Sequence, residues 1–116
     1  MTTPARWEKL RARAEAVVAA TLADFPPEIR EEAEKVPVIL DRICEDDPEL
    51  LGQYNFFEPG EVSPANGPIS LYLETIDEFC QDEGVDFEDE VRITYLHELG
   101  HHLGWDEGDL EERGLA

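Results

Sequence analysis

His97-Glu98-Leu99-Gly100-His101, running on into His102-Leu103-Gly104-Trp105-Asp106-Glu107, is the stretch on which the reading of this chain turns. On a helix, residues four apart share a face, so His97 and His101 present two imidazoles side by side. Glu98 stands one residue along, about 100° around the axis, close to whatever the two rings hold. Upstream, Asp86 has the character of an N-cap, with Asp89 three residues later as a variant of the capping box. This predicts a helix from there to about Leu103. On its wheel Leu96, Leu99 and Leu103 gather on one side, while His97 and His101 lie roughly opposite. The leucines predict a side for the core and the histidines a side for a cleft.

Two imidazoles on one face are half of a tetrahedral zinc site, whose catalytic form takes three protein ligands and leaves one position for water. Gly104 can make the sharp turn that brings a third ligand round, because glycine adopts left-handed backbone angles at helix ends without steric cost. Three residues later stands Glu107, beside Asp106; the spacing favours Glu107. The full pattern is H-E-x-x-H-x-x-G-x-x-E, close to the long metzincin signature but with Glu in place of its last His. No methionine follows Met1, so the Met-turn of metzincins is missing. His102 points away from the ligand pair and reads as a packed histidine, and Trp105 as a core residue.

The rest of the chain predicts a small α+β domain spanning residues 1–116. Thr3 and Pro4 suit a helix start, and Trp7, Leu10, Ala14, Val17, Val18 and Leu22 recur at helical spacing over residues 4–23. Pro26-Pro27 ends that helix, and a shorter one follows from Pro27 to Lys35. Val36 to Leu40 reads as a strand whose Pro37 marks its start or an edge. Glu45 to Pro48 is a turn or loop. Leu51 to Phe57 reads as a second strand despite its glycine, and Ile69 to Leu73 as a third. Between those two, Pro59-Gly60 and Asn66-Gly67-Pro68 are turn signals. Thr75 to Gln81 predicts a short helix with Ile76, Phe79 and Cys80 inward.

Charge narrows the partners. The net charge is −20, and residues 43–116 hold two basic residues against twenty-one acidic ones. A field of that sign repels nucleic acid and anionic membranes and attracts divalent cations and basic peptides. No apolar run approaches the ~20 residues of a membrane span. No secretory signal is recognisable, which predicts a cytoplasmic protein. Cys44 and Cys80 lack metal-site spacing and are expected as reduced, mostly buried thiols.

With these residues in view, the chain resembles the small bacterial minimal zincins, a family of zinc metallopeptidases. The resemblance rests on His97 to Glu107, with Glu90-Val91-Arg92 and Ile69 to Leu73 ahead of it. Leu51-Gly52-Gln53-Tyr54 and Pro27-Glu28-Ile29-Arg30 match more loosely, so that residues 20–112 are covered. Family members carry Asp where this chain has Glu107, and either residue is a carboxylate. The resemblance implies a minimal zincin-like fold: an N-terminal helix, a mixed sheet of about three to four strands, and a metal-site helix near the C-terminus. It also implies Zn2+ held by His97, His101 and Glu107.

The function expected is peptide-bond hydrolysis by a metal-activated water, with Glu98 as general base. The alternative is a non-catalytic metal-binding or protein-interaction module on the same scaffold. Peptide or protein substrates, basic ones in particular, are the expected partners. Ile69 to Leu73 is the candidate edge strand for holding an extended peptide. Tyr54, Tyr72 and Arg92 are candidates for stabilising the oxyanion. Nine residues follow Glu107, so a partner or second subunit is expected to complete the cleft.

Overall fold

Thr3 starts the fold by accepting the Arg6 N–H on its hydroxyl, the N-cap role its position predicts. In a computed structural model, which describes residues 3–54, 68–103 and 107–112, it opens α1 (Pro4–Asp24). Leu10 and Ala14 are buried on its inner face, with Trp7, Val17, Val18 and Leu22 packed beside them. The chain turns at Phe25 and Pro26 into α2 (Pro27–Glu34). Arg30 holds that corner together by donating to the carbonyls of Leu22, Ala23 and Phe25 at 3.2, 3.0 and 3.0 Å. These are carbonyls that the end of a helix leaves without an intrahelical donor.

Three short strands follow: β1 (Val38–Asp41), β2 (Gly52–Tyr54) and β3 (Ile69–Tyr72). Their order is β1-β3-β2, with β1 parallel and β2 antiparallel to β3. β1 begins two residues later than its apolar run predicts. The Val36 N–H is still bonded to the Ala33 carbonyl, and Pro37 has no N–H to offer a ladder. Pro37 contributes only its carbonyl, which accepts from the Ile69 N–H.

β3 is therefore the central strand, hydrogen-bonded on both sides. The expectation that Ile69 to Leu73 forms the exposed edge is wrong, because all four β3 residues are buried and both edges are occupied. Among the described residues, β2 has a partner on one side only. The register sets Val38, Leu40, Ile69, Leu71 and Gly52 on one face of the sheet, and the helices cover that face.

α3 (Leu73–Glu83) starts directly from β3 and is longer than predicted at both ends. It stops at Gly84, whose φ of 69° is the left-handed conformation that glycine adopts freely. Ile76 and Cys80 are buried as expected, but Phe79 is 37% exposed and does not face the core. Cys44 and Cys80 are both free thiols, and burial pushes Cys80 up to about 11.

Asp86 caps α4 (Phe87–Leu103), accepting the Asp89 N–H on its carboxylate. At this end Arg13 of α1 makes a two-pronged ion pair with Glu88, at 2.6 and 2.8 Å, and lies over the Phe87 ring. The guanidinium holds the Glu88 carboxyl below its ordinary range. That contribution is complete above the unfolded-state pKa and is lost as pH falls through the lowered folded value. α5 (Glu107–Glu112) follows α4 and touches it. No described helix is long and apolar enough to cross a membrane.

The core stripe of α4 is Val91, Tyr95 and Leu99, spaced by four, with Leu96 beside them. Tyr95 is fully buried, and among the described residues its hydroxyl has no hydrogen-bond partner. Its phenol is pushed up to about 12 by burial. A buried hydroxyl without a partner costs about 1–3 kcal/mol, which a phenyl ring of the same shape avoids. Tyr95→Phe is expected to raise the unfolding free energy by about 1 kcal/mol, measured by urea denaturation. A fall in stability would mean that the hydroxyl has a partner.

Candidate metal centre and its cleft

α4 carries its core on one side and the histidine pair on the other. Leu96 and Leu99 are buried and Leu103 packs against the core, while His97 and His101 are exposed. The two imidazoles meet edge to face, with ring centroids 5.0 Å apart. Two imidazoles binding one tetrahedral zinc through nitrogens at about 2.0–2.1 Å bring their centroids to roughly 5 Å as well. The observed pair fits that demand.

Glu98, by contrast, is buried, with 7% of its surface exposed. Its Oε1 lies 3.3 Å from His101 Nδ1, so the carboxylate stands beside the ring pair rather than out in solvent. The reason lies across the sheet. A Cβ on Gly52 would come within 2.7 Å of Thr94 Cγ2, 3.2 Å of the Ser70 carbonyl and 3.4 Å of Glu98 Cγ. Only a residue without a side chain lets α4 settle this close to β2. The glycine that makes Leu51 to Phe57 a poor strand on propensity is the residue that seats Glu98.

Between α4 and the segment leading into β2 lies a cleft of about 370 Å³, walled by Glu49 to Gly52 on one side and by Glu90, Ile93, Thr94, His97 and Glu98 on the other. The edge strand beside the metal helix is thus β2. None of Tyr54, Tyr72 and Arg92 lines the cleft. The Tyr72 hydroxyl donates to Gln53 Oε1 at 3.1 Å. Tyr54 is hydrogen-bonded to His102 Nδ1 at 2.8 Å. Burial raises the Tyr54 phenol, and the other ring nitrogen of His102, Nε2, lies 3.9 Å from Glu32. His102 is the packed histidine its position predicts.

Among the described residues, no three His, Cys, Asp or Glu side chains form a group able to hold a metal ion. His97 and His101 supply two donors. Glu107 is the first residue of α5, but its side chain lies outside the described residues, as do Gly104, Trp105 and Asp106. The cleft residues Glu49, Gly52, Glu90, Ile93 and Thr94 were not singled out as site residues from the sequence. Three of them are legible in hindsight: Glu90 and Thr94 continue the face of Glu98 at four-residue spacing, and Ile93 continues that of His97.

A family model described as zincin-like metallopeptidase matches residues 16–115. The chain belongs to that family, and membership implies zinc binding. A comparison with curated proteins returns no match.

The tight fit at Gly52 is open to test. Gly52→Ala is expected to destabilise the fold by about 1–3 kcal/mol, because the new methyl overfills a packed contact. Adding Thr94→Ala removes the Cγ2 methyl it strikes and should recover part of that loss. Thermal denaturation of the two single variants and the double variant measures this. Simple additivity would show that the two residues do not press on each other.

Proposed function

We propose that this chain is a zinc-dependent peptidase. The observation that carries the reading is the buried carboxylate of Glu98 beside an exposed, correctly spaced imidazole pair, facing a cleft lined at its rim by the start of strand β2. A module that only binds metal has no need of a carboxylate held there against the cost of burial. The reading assigns His97, His101 and Glu107 to hold the ion, with Glu107 preferred to Asp106 for its spacing.

Bound zinc would supply a Lewis acid that polarises the scissile carbonyl and lowers the pKa of the attacking water to about 7. The protein's own groups do the rest. β2 offers main-chain N–H and C=O groups to an extended peptide and aligns it along the cleft. Glu98 takes the proton of the water as its oxygen bonds to the carbonyl carbon. It then returns that proton to the amine nitrogen as the C–N bond breaks. Its seat against Gly52 and Thr94 restricts the carboxylate to the mouth of the cleft, so little reorganisation accompanies the transfer.

Metal analysis of purified protein, combined with a peptide-library cleavage assay with and without chelator, tests the reading. One zinc per chain and chelator-sensitive cleavage are expected. Glu98→Gln should keep the zinc and lose turnover by at least about a hundredfold, as removal of a general base does. His97→Ala should lose the zinc. Full zinc without any cleavage would favour the non-catalytic module, and unchanged turnover in Glu98→Gln would remove Glu98 from the chemistry.

A further inference from the structure

Two carboxylates line the cleft besides Glu98, one on each wall. Glu90 lies on the α4 wall, and Glu49 on the opposite wall, where the chain enters β2. Among the described residues, no Lys or Arg lines the cleft. With nine Lys and Arg for twenty-nine Asp and Glu, many carboxylates of this chain go unpaired. The placement of these two is what distinguishes them. Elsewhere the fold pairs its interhelical acids with cations, as in Arg13 with Glu88 and Arg6 with Asp77. Glu49 and Glu90 line opposing walls of one groove, and among the described residues neither is paired with a basic side chain.

Between them and the histidine pair stands Ile93, 51% exposed although its neighbours Thr94 and Tyr95 are buried. An exposed aliphatic flanked by carboxylates matches a side chain with an apolar stem and a cationic head. Lysine and arginine have that form, resting their methylenes on apolar surface while the charge sits in a polar setting. A metal ion is a poorer match, since no group of three suitable ligands occurs there among the described residues.

Glu90 precedes His97 by seven residues, or about 10 Å along the helix axis. An extended peptide covers that length in about three residues. We infer that the cleft selects a Lys or Arg lying within about three residues of the scissile bond, with its head between Glu49 and Glu90 and its stem on Ile93. This rests on the peptidase reading for the position of the bond. The subsite itself can be tested without turnover.

The probe is a labelled pair of otherwise identical peptides, one with Lys and one with Gln at the test position. Their binding to zinc-loaded Glu98→Gln protein is measured by fluorescence anisotropy at low salt. The Lys peptide should bind about tenfold more tightly, the scale of a charge-assisted contact in a partly enclosed groove. The advantage should largely vanish in a variant that also carries Glu49→Gln and Glu90→Gln. It should survive in one carrying Glu78→Gln and Asp82→Asn instead, two exposed positions on α3 that remove the same charge. Equal binding of the two peptides overturns the inference. So does an advantage lost equally in both variants, because the preference would then belong to the net charge and not to the cleft. Cleavage is followed separately with Glu98 intact. A preference for Lys in binding without any cleavage would count against the peptidase reading and leave the subsite standing. Cleavage indifferent to Lys or Arg would count against the subsite alone.

Discussion

The approach of α4 to β2 at Gly52 is the contact on which the rest of the site depends. A helix normally stands off a sheet by the thickness of the side chains between them. Here one strand position has no side chain, and Thr94 and Glu98 occupy the space it leaves. The same closeness makes Glu98 a buried acid, draws the histidine turn to the edge of the sheet and gives the cleft its second wall. Moving the helix outward by the depth of one methyl group would put that carboxylate in water. Its position relative to the rings would then be set by rotamer freedom instead of by packing.

The sheet gives this arrangement its direction. With β3 in the middle, the two strands that precede it in the chain are left at the edges. They are edges of different kinds: β1 runs parallel to β3 and begins behind a proline, while β2 runs antiparallel and lies under the metal helix. The start of β2, at Gly52, and the segment leading into it line the cleft. A sheet edge is a liability in most proteins because it recruits strands indiscriminately.

Much of this was legible beforehand, for identifiable reasons. The helix of His97 and His101 announces itself by Asp86 at its start and by leucines opposite the histidines, and both signals are local. Thr3, Pro26-Pro27 and Pro37 set boundaries in the same local way, through hydrogen-bonding capacity and ring geometry. What could not be read was strand order. Ile69 to Leu73 is the most apolar of the three strands, and the sequence alone suggests it as the edge next to the helix. Its apolarity instead reflects a central position, buried on both faces. Gly52 was misjudged for a related reason. Propensity counts a glycine against a strand, whereas its value here lies in a helix more than forty residues away in sequence. Phe79 shows the converse case, since helical spacing places it near Ile76 and Cys80 but cannot say how wide the buried stripe is.

Because the core stripe and the imidazole pair share one helix, any metal affinity of that pair would be thermodynamically linked to folding. Packing Val91, Tyr95 and Leu99 fixes the pitch and azimuth of α4, and with them the 5.0 Å spacing of the two rings. The entropy of bringing those two rings together is thus spent during folding. The linkage is reciprocal: zinc that recognises only the folded arrangement deepens its free-energy well in proportion to the logarithm of its concentration. Were the pair to hold zinc, the free zinc concentration would set part of the stability of this small acidic domain.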